Sequence, residues 1–219
     1  MTDRAPDSLR AAIGAGVRVT PLPSPARRAT RRLVPAALIV LALVLAIWGL
    51  RADYDAVGPW RLWLASLAQV AVAIAVARVA LAESIPGQRP PVRTHIAMAA
   101  VAVFFVVALT EATFAASRTF VPAAWTSRFF WICFTHPVAL GLPVLVLLAV
   151  MLRRGLLSSP ALAGALAGLA AGLVSDAGWR LYCHVSDPAH VLVAHAGAVL
   201  ALSTAGMGAG YFFRKGSTS

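Results

Sequence analysis

Cys133 and Cys183 are the only two cysteines in this chain of 219 residues. A pair of thiols can be oxidised reversibly to a disulfide, or it can bind a soft or borderline metal ion. Neither cysteine belongs to a Cys-x-x-Cys motif, so local spacing does not choose between these two chemistries. A third interpretation is that each cysteine is a small buried hydrophobic residue.

Several other ionisable side chains are candidate metal ligands or members of a sensory network around the thiols. They are Glu111, His136, Asp176, His184 and His195. Simpler roles remain open for them. Asp176 can pair with Arg180 at i+4, and Glu111 can reach water or Arg118. A histidine within a membrane span can also hydrogen-bond to a neighbouring helix.

The composition indicates a membrane protein. Hydrophobic residues make up 60% of the chain, charged residues make up 12%, and the mean hydropathy is +0.80. The formal net charge of +11 does not indicate nucleic-acid binding, because the basic residues cluster between apolar runs rather than on a face with interleaved aromatic residues. We therefore predict no direct contact with nucleic acid.

The apolar runs predict an all-α polytopic protein with six transmembrane helices. The predicted domains are a cytoplasmic tail over residues 1–32, a membrane domain over 33–213 and a short cytoplasmic tail over 214–219. The predicted spans are Leu33–Leu50, Trp60–Leu81, His95–Ala116, Phe129–Leu152, Pro160–Cys183 and Pro188–Phe213.

The fourth and fifth spans form a predicted antiparallel hairpin that positions both thiols. Cys133 lies 20 residues before Arg153, about 30 Å along a helix, and Cys183 lies 24 residues after Ser159, about 36 Å in the opposite direction. Both cysteines are therefore expected near the membrane face opposite the turn. A pair at matching depth could form a disulfide or share a divalent metal ion, and no permanent cofactor is required.

The basic residues predict the orientation. Of the 19 Arg and Lys residues, the side that carries both termini holds 14. The positive-inside rule then places both termini in the cytoplasm and the cysteines near the outer face, which is periplasmic for a bacterial inner membrane. A disulfide can persist in that compartment.

Small residues recur at helical spacing in the fifth span. Gly164, Gly168 and Gly172 follow one another every four residues, a pattern that lets membrane helices approach closely. In the N-terminal tail, the four-residue spacing of Leu9, Ile13 and Val17 predicts a short helix with one apolar face and Arg10 beside it. This segment could dock a partner protein or lie on membrane lipid.

Several segments together resemble the NrsF family. They are Val19-Thr20-Pro21-Leu22-Pro23-Ser24-Pro25, the region from Gly141-Leu142-Pro143 to Leu152-Arg153-Arg154-Gly155, the Gly/Ala-rich fifth span, and the stretch from Leu181-Tyr182-Cys183 to His195. The resemblance covers nearly the whole chain. It implies a membrane-bound anti-sigma factor that holds an extracytoplasmic-function sigma factor inactive. It also implies that heavy-metal ions or oxidants act on the two family cysteines, which map onto Cys133 and Cys183, and that the tail contacts the sigma factor.

Two other functions are compatible with parts of this sequence. A membrane thiol oxidoreductase usually needs a Cys-x-x-Cys pair plus a second pair of thiols, and this chain has two separated cysteines in total. A small transporter could use Glu111, Asp176 and His195 as a substrate or proton path. The polar residues are confined to the outer half of the membrane, which argues against a transport site at the midplane. Following the resemblance, we predict a regulator rather than an enzyme or a transporter.

Overall fold

The fold was analysed in a computed structural model, which describes residues 7, 11, 23–85, 88, 90–117, 128–153, 155, 157 and 159–216. Six helices in this part of the chain are long and apolar enough to cross a membrane, and no strand occurs there, which confirms the predicted fold class. The first five are α1 Pro25–Ile47, α2 Pro59–Ala82, α3 Val92–Ser117, α4 Arg128–Arg153 and α5 Pro160–Trp179. The sixth, α6, joins an α-helical start at Pro188–His190, a π-helical turn at Val191–His195 and a final α-helical segment at Ala196–Gly216. A short helix at Tyr54–Val57 lies between α1 and α2.

The first helix begins at Pro25, eight residues before the predicted start at Leu33. Ser24 caps it, because its hydroxyl accepts a hydrogen bond from the backbone N–H of Arg27 at 3.3 Å. Proline fits the first turn, where its missing N–H costs nothing. The basic residues interrupt the hydropathy of this region, but they do not interrupt the helix. The first turns of α1 therefore belong to the segment that was predicted to be tail.

The fifth helix ends at Trp179, four residues before the predicted end at Cys183. Its last turn tightens, since the N–H of Leu181 donates to the carbonyl of Gly178 and the N–H of Tyr182 donates to that of Trp179. Cys183 consequently lies in the segment between α5 and α6, where the backbone can turn its side chain toward α4.

Helix α5 lies at the centre of the bundle, and 78% of its most apolar stretch is buried. It packs most closely on α6. A Cβ atom added at Gly168 would lie 2.0 Å from the carbonyl oxygen of Leu202, and one at Gly164 would lie 2.1 Å from that of Gly206. Glycine is therefore required at these crossings, because any side chain would force the two backbones apart.

Helix α3 lies at the edge of the bundle, with only 17% of its most apolar stretch buried. It exposes large apolar side chains, including Val103 at 60% and Phe104 at 75%. Such a surface is suited to lipid rather than water, whereas Ala102 and Val106 on the other face of α3 pack into the core.

Candidate metal and thiol centre

The two thiols lie next to each other. The Sγ atoms of Cys133 and Cys183 are 3.4 Å apart, and both cysteines are free and buried. Cys133 is on the second turn of α4, and Cys183 is in the segment after α5. The hairpin of α4 and α5 thus brings together two residues that are 50 positions apart in the chain.

Two histidines of α6 complete a cluster with the thiols. One ligand atom from each of Cys133, Cys183, His190 and His195 lies within 4.8 Å of the other three, and all four residues are buried. The Nε2 atom of His190 is 3.8 Å from the Sγ atom of Cys183. We call these four residues the Cys2His2 cluster.

The π-helical turn of α6 explains why both histidines face the thiols. In a regular α-helix, residues five apart differ by about 140° around the axis, so His190 and His195 would point to different sides. Here the N–H of Ala196 donates to the carbonyl of Val191, an i→i+5 bond that widens the turn. The extra residue in this turn rotates His195 toward the side that His190 occupies.

Asp176 of α5 fixes the orientation of His195. Its Oδ1 atom is 2.6 Å from Nδ1 of His195, while its Oδ2 atom accepts hydrogen bonds from Gln69 of α2 at 2.7 Å and Arg180 at 2.9 Å. With the Nδ1 proton directed at the carboxylate, Nε2 of His195 is left with a lone pair. That nitrogen is buried and has no hydrogen-bond partner among the described residues. A carboxylate behind a histidine is the usual arrangement at metal-binding imidazoles.

Arg51 anchors the segment that carries Cys183. Its guanidinium donates to the hydroxyl of Ser186 at 2.8 Å and to the carbonyl of His184 at 3.3 Å, and it pairs with the carboxylate of Asp53. Arg51 itself is 5% exposed. The start of α6 is held as well, because the side chain of Asp187 accepts a hydrogen bond from the N–H of His190. Both sides of the Cys2His2 cluster therefore have fixed backbones.

The donor set fits a soft or borderline metal ion. Two thiolates and two imidazoles are a common tetrahedral set for zinc and related ions. Metal–sulfur bonds of about 2.3 Å place two sulfurs roughly 3.8 Å apart in a tetrahedron, and the two Sγ atoms here are 3.4 Å apart. Small side-chain shifts would therefore suffice to coordinate an ion.

Similarity to known proteins identifies the family to which this chain belongs. The sequence matches the family described as NrsF, negative regulator of sigma F, over residues 14–214, nearly the whole chain. The chain belongs to the NrsF family. No curated protein and no solved structure matches it. Membership confirms the resemblance noted in the sequence and makes this NrsF-family protein a negative regulator of a sigma factor.

Three of the predicted partners of the thiols lie elsewhere in this NrsF-family protein. His136 stacks on Trp179 with a centroid distance of 4.9 Å, because the residue three after Cys133 on α4 faces α5 rather than α6. The ring of His184 packs against that of Phe129 with a centroid distance of 6.1 Å. Glu111 is exposed on α3, the peripheral helix.

The structure joins Asp176 and His195 to the cluster and adds His190, which the sequence analysis did not include. It also gives a structural role to Arg51, which the sequence analysis did not single out. The predicted docking residues Leu9, Arg10, Ile13 and Val17 lie outside the described residues. The family match begins at residue 14, so most of that segment also precedes the matched region.

Proposed function

We propose that this protein holds an extracytoplasmic-function sigma factor inactive at a bacterial inner membrane and releases it when a soft or borderline metal ion binds the Cys2His2 cluster. The observation that carries the proposal is the convergence of four buried ligand groups within 4.8 Å of one another. Membership of a family of negative regulators of sigma F supports the regulatory half of the proposal.

The position of the cluster suggests how a bound ion would act at a distance. The ligands come from α4, from the segment after α5 and from α6, so coordination would pull three separate elements toward one point. The glycine contacts between α5 and α6 have no compressible side chains, so a shift at one end would move both helices as rigid rods. The opposite ends of these helices lie on the side where the termini, and hence the sigma factor, are predicted.

Metal binding is tested with the purified full-length protein and Co²⁺ as a spectroscopic probe. Tetrahedral thiolate coordination should give intense visible absorption and a sulfur-to-cobalt charge-transfer band at one ion per chain. The double variant Cys133→Ser with Cys183→Ser should lose both signals, and His190→Ala should weaken binding. His184→Ala is the matched control, because His184 follows Cys183 directly but packs against Phe129. Unchanged spectra in the double cysteine variant would disprove the assignment.

The regulatory half is tested by affinity capture from native membranes under reducing conditions, followed by mass spectrometry of the bound proteins. We expect a sigma factor on the intact chain, its loss on removing residues 1–20, and its elution by Zn²⁺ or Cd²⁺. The double cysteine variant should retain the sigma factor when metal is added. His184→Ala should release it on addition of metal, as the wild type does. If no sigma factor is captured, the proposed function is wrong. Capture that survives the truncation would place the contact in the loops.

Oxidation is the second candidate signal, favoured by the 3.4 Å separation of the thiols. Two thiols would give two protons and two electrons to hydrogen peroxide, forming one disulfide and reducing the peroxide to two molecules of water. Elution of the sigma factor by peroxide but not by metal, with a loss of two mass units from the intact chain, would select this signal. The transporter alternative is less well supported, because Glu111 is exposed on α3 whereas Asp176 and His195 are buried.

A further inference from the structure

An arginine-lined pocket lies at the end of the bundle opposite the cysteines. It has a volume of about 260 Å³, and its lining includes Arg28, Arg31 and Arg32 of α1, together with Ser84, Met151 and Gly155. Met151 is 18 residues after Cys133 on α4, so about 27 Å of helix separates this pocket from the Cys2His2 cluster.

Specific contacts build the wall of the pocket. The guanidinium of Arg28 donates to the hydroxyl of Ser84 and to the carbonyl of Met151, both at 3.3 Å. That carbonyl belongs to the last turn of α4 and therefore lacks a partner within its own helix. Gly155 packs directly on Ser84, since a Cβ atom there would lie 2.4 Å from Cβ of Ser84. Arg28 is thus fixed in place at the edge of the pocket.

The pocket carries positive charge without a matching acid. Arg31 and Arg32 are exposed, neither forms an ion pair within the described ranges, and no described residue of the lining is Asp or Glu. Arginine offers a rigid fork of N–H donors that matches the oxygens of a phosphate. The first turn of α1 adds the positive end of its helix dipole. The arginine donors and the helix dipole together favour the binding of a phosphate monoanion or a phosphate diester.

The surface next to the pocket indicates where that phosphate comes from. Val34 and Leu38 follow Arg31 at i+3 and i+7 and are 38% and 60% exposed, and Ile39 follows Arg32 at i+7 and is 60% exposed. These positions share one face of the helix with the arginines. Each arginine therefore lies at the head of an exposed apolar stripe. A charged head above an apolar stripe is complementary to a phospholipid and not to a free ion.

We propose that this pocket binds the headgroup phosphate of one anionic phospholipid, with the acyl chains lying along Val34, Leu38 and Ile39. Basic pockets between membrane helices recognise such headgroups through the same groups. The site is independent of the Cys2His2 cluster, and it does not rest on the proposed release of a sigma factor.

The test is native mass spectrometry of the full-length protein in detergent, titrated with phosphatidylglycerol or, separately, with phosphatidylcholine. The wild type should bind one phosphatidylglycerol in preference to phosphatidylcholine. The double variant Arg31→Gln with Arg32→Gln should bind it about 30-fold more weakly. The matched control is Arg27→Gln with Arg93→Gln, which removes the same charge from exposed arginines that do not line the pocket and should bind like the wild type.

Three outcomes would overturn the proposal. Equal losses in the two double variants would mean that general charge attracts the lipid. Displacement of the lipid by equimolar glycerol 1-phosphate would identify a site for a free anion. Loss of sigma-factor capture in the Arg31/Arg32 variant, with unchanged lipid binding, would assign the pocket to an acidic segment of the partner. Thermal unfolding of each variant checks that it remains folded.

Discussion

Asp176 connects the Cys2His2 cluster to the rest of the membrane domain. One oxygen of its carboxylate orients His195, and the other accepts hydrogen bonds from Gln69 and Arg180. A buried carboxylate is expensive in free energy unless it is paired, and here both oxygens have partners. The sequence pattern predicted its pairing with Arg180 at i+4, but the contact with His195 depends on the packing of α5 against α6.

The substitution Asp176→Asn should lower the affinity of the cluster for Co²⁺ by about 10- to 100-fold, because His195 loses the carboxylate that orients its ring. The thiols and both imidazoles remain, so the absorption spectrum at saturation should keep its thiolate band. Ser175→Ala is the control on the same helix turn, since its hydroxyl donates only to the carbonyl of Gly172. Equal affinities for Asp176→Asn and the wild type would contradict the role given to Asp176.

Arg51 controls access to Cys183 through the segment that it anchors. Removing the guanidinium in Arg51→Ala deletes charge-assisted hydrogen bonds to Ser186 and His184. The segment should then open about tenfold or more often. In a Cys133→Ser background, the rate at which a maleimide alkylates Cys183 should rise by that factor. Arg61→Ala should leave the rate unchanged, because Arg61 lies over the ring of Trp60. A rate unaffected by Arg51→Ala would show that other contacts hold the segment.

At the scale of elements, the tight packing of α5 on α6 predicts a contrast between two glycines. Gly168→Ala would place a methyl group 2.0 Å from the carbonyl oxygen of Leu202, so it should lower the free energy of unfolding by about 1–3 kcal/mol or more. Gly208→Ala meets no atom within 4 Å and should be neutral or stabilising by up to about 1 kcal/mol. Thermal unfolding in detergent measures both. Similar losses of stability would show that helix propensity, and not the close approach, decides the effect.

The elements were largely predictable because uncharged apolar runs mark membrane helices, and the length of the fourth and fifth runs indicated a shared depth for Cys133 and Cys183. The start of α1 was not predictable in this way, since the arginines between Arg27 and Arg32 lower the local hydropathy without breaking the helix. His190 was missed for a different reason. Its partnership with His195 requires a π-helical turn, and a spacing of five residues gives no amphipathic signal that would reveal one.

At the scale of the whole molecule, the six candidate spans within the described residues predict that the two termini lie on the same side of the membrane. The distribution of Arg and Lys predicts that this side is the cytoplasm. A fluorescent protein fused after residue 219 should therefore fluoresce. A periplasm-dependent phosphatase should be active when inserted between α1 and α2 and inactive when inserted at the α4–α5 turn. The opposite pattern of reporter activity would show that the protein has the inverse orientation, with the thiols near the cytoplasmic face.

The whole molecule thus has one polar centre near each end of an apolar middle. The thiols and imidazoles lie at one end, and the arginines of α1 lie at the other. The middle of α5 and α6 holds the two ends at a fixed separation, because glycines replace the side chains that could otherwise deform. Lipid bound at one end would contact α1, which packs on α5. A ligand at the other end would contact α4, α6 and the segment after α5, so α5 lies between the two sites.

The π-helical turn also defines where α6 can change length. It adds one residue between the part of the helix that carries His190 and the part that packs closely on α5 at the glycine contacts. Deleting Leu192, an exposed residue of that turn, would leave the two histidines four residues apart in an ordinary α-helix, again on one face. The glycines below would keep their register. A one-residue gap at this position in a related sequence would therefore leave both the imidazole pair and the helix contact intact, whereas the same gap at Leu202 would destroy the contact.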